Sequence, residues 1–495
     1  MNYQPVGGIQ YEQLAELHVP DLDIWLENEA LRITGNPSDE TCNNSNYRLP
    51  VPCPDPNDLS CGGGGGGGGG TPTVDRKKPA GQITVRDFNN NGFNDIGVRR
   101  TRVVARRWFK IELMYTDDNG RYQSNKRFNN KVNMFVKFRN HHLTTRGLRG
   151  IRVYQALFPI KHGLGKYSGN LNNINWNYTS VRFGNERSNR NWWAAQLMNA
   201  YLEFSENASA LGIGWVPSNM RILLHSFGFA AGVGSTPMNH HRNVLSVSDA
   251  YLRQFVVQPL TAYWAAVYNT LANNNGVMRG MDMSLGYNTP QDRGPWTSDR
   301  VKQLMYHEFA HASHFNKVGA DWWEEFVYSV SFAIARHGVN GNASPYGTGD
   351  DGFLSDYISL AESWAEHVGR TIADRVYGLN STNFIGQRSV AYSNNLFIPG
   401  SSHLNYLEDF SPLRPFDPFR WIPDGLWNDL LDDRNDIFFG RVNINDDVFG
   451  YTNQAFFNAL DPDITNLQGY RIRLLTENGN NQASEVTQLF TDYGF

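Results

Sequence analysis

The sequence predicts an α+β protein, with a strand-rich N-terminal module followed by a mixed, helix-rich region. Three observations carry this. Residues 81–150 alternate apolar and polar side chains or run through β-branched and aromatic ones. Residues 190–400 hold long stretches with apolar residues at helical spacing, separated by short β-branched segments. A chain of 495 residues, 40% hydrophobic and 13% aromatic, exceeds one ordinary core, so about three domains are expected.

Composition excludes some partners. The net charge is -4, and no basic run of the kind that tracks phosphates is present, so nucleic acid is not expected. No stretch approaches 18 apolar residues, so no transmembrane segment is predicted. The opening "MNYQPVGGIQYEQL" lacks the charged and apolar regions of an export signal. Plentiful asparagine, sparse lysine and frequent tryptophan and tyrosine nevertheless point to a secreted or cell-surface protein. The oligomeric state is not legible.

Residues 1–71 read as a helical segment and a Cys/Gly-rich linker. Two short helices are expected over 10–35, broken at Pro20. Cys42, Cys53 and Cys61 allow one disulfide in any of three pairings, or three free thiols. Gly62–Gly70 reads as a flexible connector. Cys61 before the glycines resembles a lipid-modified cysteine and its spacer, but "NDLSC" has no hydrophobic segment before it.

Residues 72–150 form the predicted strand module, with strands in "QITVRD", "VRRTRVVARRWFKIELMYT", "KVNMFVKFRN" and "LRGIRVY". "YTDDNGRYQS" (115–124) is a turn, with Gly120 supplying a positive φ. This T-D-x-x-G-x-aromatic turn resembles the transthyretin-like or carboxypeptidase-regulatory-like β-sandwich. The resemblance implies a folding or surface-attachment module. In "DFNNNGFND", Asp87, Asn89, Asn91, the Phe93 carbonyl and Asp95 occupy alternate positions of a calcium-type loop around Gly92. Val98 stands where the bidentate glutamate belongs, so a plain hairpin turn is favoured and Ca2+ is the alternative.

Residues 151–400 are expected to form the catalytic region. Helices are predicted at 191–212, at 246–276 with a kink at Pro259, at 297–319 and at 356–374; strands are predicted at 218–228 and 278–288. Residues 401–495 read as a weakly helical and strand-like extension packed on that region.

The chemistry concentrates in "QLMYHEFAHASHFNKVG" (303–319). Thr297 or Ser298 caps this helix and Gly319 ends it. His307 and His311 are four apart, hence on consecutive turns, and Glu308 follows His307. This H-E-x-x-H pattern lets two imidazoles reach one Zn2+ while the glutamate handles its water. His314 lies about 10 Å along the axis from His307, too far for the same ion, and reads as a second-shell or cleft-lining residue. A third ligand is required. Glu362 and Glu366 lie one turn apart on an otherwise apolar helix, without a Lys or Arg between them. Glu324 and Glu325 are rivals, but the chain has barely turned back by that point.

H-E-x-x-H with a glutamate on a later helix resembles the gluzincins, a group of zinc peptidases. The segments "HEFAHASHF" and "AESWAE" are similar to uncharacterised secreted bacterial metallopeptidases. The resemblance implies a zincin-like metallopeptidase domain acting on peptide or protein substrates. It makes Glu362 the third ligand and Glu366 the acceptor behind His307 or His311, although a gap of 51 residues from His311 to Glu362 is long for that group. It also implies Glu308 as general base and a tyrosine or histidine as oxyanion donor: Tyr346, Tyr357 or, more weakly, His367. Strand 281–287 is a candidate cleft edge for substrate, or an ordinary interior strand. The alternative function is an inactive zincin-like surface protein using Trp192–Trp193 and Trp322–Trp323 to bind glycan or protein; a purely structural zinc is a third reading.

Overall fold

The computed structural model describes residues 75–89, 92–148, 158–179, 186–225, 234–242, 281–287, 297–337, 346, 349, 351–378, 421–431 and 447–495. Helices and strands are both abundant, as expected of an α+β chain. The expectations for 10–35, the three cysteines, Gly62–Gly70 and the helix at 246–276 fall outside the described residues.

In the N-terminal part, β1 (Ala80–Asn89) is antiparallel to β2 (Gly92–Gly97) and β5 (Arg121–Gln123), and parallel to β9 (Trp176–Tyr178). An antiparallel sheet runs in the order β4 (Lys110–Tyr115), β3 (Arg102–Arg107), β6 (Val132–Lys137), β8 (Lys161–Tyr167). Ile83 and Val85 of one sheet and Val103, Ala105, Val132 and Met134 of the other belong to one continuous core. The 115–124 turn forms as its sequence suggests. Asp117 accepts the backbone N–H of Asn119 and of Arg121, and Gly120 takes φ 75. A Cβ at Gly120 would lie 2.1 Å from the Ile83 carbonyl oxygen, so the position requires glycine on two counts.

A mixed sheet has the order β11 (Gly234–Ser235), β12 (Met283–Gly286), β10 (Met220–His225), β7 (Leu143–Leu148). β7, β10 and β12 are parallel; β11 is antiparallel to β12. All of β10 is buried, as a parallel strand covered on both faces should be. The chain crosses the boundary placed at residue 150. β7, expected in the first module, joins the mixed sheet, and β8 and β9, expected beyond it, join the first two sheets. The strand at 281–287 is interior, flanked by β10 and β11, so both its edges are already used.

Helices α1 (Glu186–Leu211), α2 (Ser298–Val318), α3 (Ala320–His337) and α4 (Phe353–Tyr377) follow. α2 begins after Thr297, whose side chain makes no capping hydrogen bond, and stops at Gly319, whose φ of 86 suits glycine. α3, unassigned from the sequence, restarts directly after that stop. α2 and α4 pack closely: a Cβ on Gly369 would lie 3.0 Å from the His307 backbone nitrogen. Trp192, Trp193, Trp322 and Trp323 are all buried in the core, which removes them as a glycan- or protein-binding surface.

The calcium reading is overturned by the hairpin register. Asp87 pairs with Asn94 and Arg86 with Asp95, so the Asp87 and Asp95 side chains leave opposite faces of the ladder. Asp87 instead faces a buried network: Lys302 Nζ lies 3.1 Å from Asp87 and 2.8 Å from Glu203 of α1. Tyr377 donates to Asp87 and Tyr306 to Glu203. Asp95 pairs with Arg86 and accepts from Asn177. Asn91 and the side chain of Asn89 lie outside the described residues.

The C-terminal part is helical where described: α5 (Leu426–Asp429), α6 (Asn453–Ala459), α7 (Leu467–Glu477) and α8 (Ala483–Asp492). The Thr452 and Asn466 side chains cap α6 and α7. Trp427 packs against Trp364 of α4. No helix among the described residues is long and apolar enough to cross a membrane.

Candidate metal centre

α2 presents His307 and His311 on one face, with ring centroids 4.7 Å apart and planes at 87°. α4 brings Glu362 to the same place. Its Oε2 lies 3.3 Å from His307 Nε2 and 3.5 Å from His311 Nε2. Two ligand atoms about 2.0–2.1 Å from a tetrahedral zinc are about 3.4 Å apart, so the spacing and the donor set fit that ion. These three residues, with ligand atoms within 4.8 Å of one another, form one of two such groups among the described residues.

The partners behind the ligands differ. Glu366 Oε2 lies 3.3 Å from His307 Nδ1, while its other oxygen accepts from Arg370 one turn along α4. Glu366 therefore stands behind His307, not His311, and Arg370 compensates its charge. His311 Nδ1 is buried without a hydrogen-bond partner, and its ring packs on Trp323 and Phe326 of α3.

Electrostatics follow from this packing. Burial alone would push the His307 imidazole down, but Glu362 and Glu366 hold it well above its ordinary range. Burial likewise favours protonated Glu362, yet His311 and His307 bring its carboxyl far below the usual carboxylate range. Without metal, His307 thus carries a proton in the place of a cation, and loading a metal must release it.

Glu308 is buried beside the ligands, and burial raises its pKa against the pull of His307 and His311. Thr236, just after β11, donates its hydroxyl to Glu308 Oε2 at 2.6 Å. Gly234 of β11 approaches so closely that a Cβ would lie 2.0 Å from Glu308 Oε1. Neither residue was singled out from the sequence. A two-residue strand has no readable period, and contacts across 72 positions leave no local mark.

The remaining candidates separate. The half-buried Tyr346 hydroxyl donates to Glu362, and burial with that carboxylate raises its pKa well above normal. Tyr357 is five residues before Glu362 on α4, about 140° around the helix, and packs on Trp322 at 4.9 Å. It is a packed aromatic and not a donor at the centre. His367 turns into the C-terminal helices, bonded to Asn453 at 2.7 Å and held down to about 4 by burial. His314 is fully buried between Trp322 and Trp323, with neither ring nitrogen hydrogen-bonded, so it does not line a cleft. Glu324 pairs with Arg242 at the surface and Glu325 is exposed, so neither rivals Glu362. No protein-family model matches this chain, and neither a curated protein nor a solved structure does.

Proposed function

We propose that the chain is a zinc-dependent peptidase with a zincin-like catalytic region, using Glu308 as general base on a peptide or protein substrate. The observation that carries this is the convergence of two imidazoles on α2 with a carboxylate from α4, next to a buried second carboxylate. When bound, zinc supplies Lewis acidity and brings the pKa of a coordinated water from 15.7 towards about 7. Glu308, with its raised pKa, takes a proton from the attacking water and returns it to the leaving amine. Thr236 holds one oxygen of Glu308 in place. Glu366 orients the His307 ring from behind. Tyr346 is the donor assigned to the carbonyl oxygen as negative charge develops there.

The outer edge of β11 is unpaired among the described residues, and Gly234 of that strand packs against Glu308. An extended peptide can add to that edge by backbone hydrogen bonds. The gluzincin resemblance, and a transthyretin-like N-terminal module, belong to the same proposal. A secreted or surface location belongs to the same reading. An inactive binding protein has less in its favour, because its candidate aromatics are buried and Glu308 is present.

The test is zinc content together with cleavage of casein and a peptide library, with and without chelator. Glu308→Gln should keep the wild-type zinc content and lose about 10²–10⁴ in rate. Glu362→Ala should lose metal from this centre. Chelator-insensitive cleavage, or full activity in Glu308→Gln, would sink the proposal.

A further inference from the structure

The second group able to hold a metal among the described residues is His240, His241 and Asp282, with candidate ligand atoms within 4.8 Å of one another. Asp282 immediately precedes β12 and is fully buried; the two histidines lie on the turn after β11 and are half-buried. His240 Nδ1 is 3.4 Å from Asp282 Oδ2, and His241 Nδ1 is 2.9 Å from Oδ1. Yet both Nδ1 atoms are buried and neither is aligned for a hydrogen bond.

The outer partners are those that ligands require. His241 Nε2 faces the Ser218 carbonyl oxygen at 2.9 Å. A carbonyl only accepts, so Nε2 carries the proton and the Nδ1 lone pair is left for an ion. Asp282 is oriented in advance: its two oxygens accept the backbone N–H of Arg221 at 2.9 Å and of His241 at 3.1 Å. Although burial opposes it, the two histidines keep that carboxyl ionised, with its pKa down to about 2. Burial opposes a positive charge on His241, but Asp282 outweighs it and holds the imidazole above its ordinary range in the absence of an ion.

We propose that His240, His241 and Asp282 form a second zinc site, separate from His307, His311 and Glu362. Two imidazoles and one carboxylate favour zinc over calcium or magnesium, which take oxygen ligands. Among the described residues no further carboxylate is placed there as Glu308 is placed at the other centre, so the role is to position structure. The same turn is stitched to the β12 segment by Met238 N–H to the Asp282 carbonyl and Asn239 N–H to the Met281 carbonyl. It begins at Thr236, whose hydroxyl holds Glu308. An ion here clamps the turn and, through it, Thr236. The metal-free competitor is a protonated His241 paired with Asp282.

The experiment loads the full chain with Zn2+ alone, removes loose metal by gel filtration and measures zinc per chain by mass spectrometry. Wild type should retain two equivalents, His240→Ala/His241→Ala one, and His307→Ala/His311→Ala one. If the first centre were the one misread, the wild type would retain a single equivalent that only His240→Ala/His241→Ala loses, and this proposal would stand. A single equivalent lost from His307→Ala/His311→Ala and untouched by His240→Ala/His241→Ala would overturn it in favour of the ion pair. Should the double variant misfold by circular dichroism, His240→Ala alone gives the same reading, because the His240 side chain is partly exposed.

Discussion

At His314, burial between two indoles pushes the imidazole down to about 3. Its ordinary value in an unfolded chain is near 6.5. Between these values the unfolded chain binds a proton that the folded one refuses. Stability therefore falls as pH drops from about 6.5 towards 3, and recovers as pH rises. His314→Phe should remove that contribution. In metal-free protein, the loss of urea stability between pH 7 and pH 5 should be smaller in the variant, by up to one proton in slope. Equal pH dependence in the two proteins would show that His314 is protonated in the fold. The H-E-x-x-H pattern itself was legible because His307, Glu308 and His311 sit on consecutive turns of one helix. The fate of His314 was not, because its neighbours Trp322 and Trp323 come from the next helix.

At the level of elements, β11 shows what two residues of strand can control. Gly234→Ala places a methyl where the Glu308 carboxylate lies. Either the strand or the carboxylate must shift, and with Glu308 as the proposed base a displacement of about 1 Å costs about 10² in rate. The expected outcome is a comparable loss in kcat/KM with zinc content unchanged. Unchanged kinetics would mean that the edge of the sheet is free to move away from Glu308. α2 and α4 could be drawn from apolar spacing and the Gly319 stop, because those signals lie within or next to the helix they define. Strand order could not: the interior place of β12 depends on where β10 and β11 arrive, which no local pattern records. Between the two tyrosines, spacing along α4 disfavours Tyr357, while Tyr346 sits in a loop without period.

Across the whole molecule, Lys302 is the point where separate layers meet. Its ammonium is buried with Asp87 of β1 and Glu203 of α1, and these carboxylates hold its pKa up against the penalty of burial. Lys302→Met leaves two largely buried carboxylates without their cation, which should cost about 3–5 kcal/mol. Urea denaturation at pH 7 measures this, and a loss under about 1 kcal/mol would show that water reaches the carboxylates. The same residue explains why Asp87 looked like a calcium ligand in sequence. An acid among asparagines and a glycine suits a cation, but the cation that arrives is a lysine from 215 positions away.

The excursion of β7 has a genetic corollary. Chain segments before and after it build the first two sheets, whereas β7 lies alongside β10 in the third. An exon or fusion junction drawn near residue 150 would hand one partner a sheet missing an outer strand, and the other a pair of strands with nothing to join. The two regions must be inherited, grafted and expressed together, however distinct their compositions look on the page.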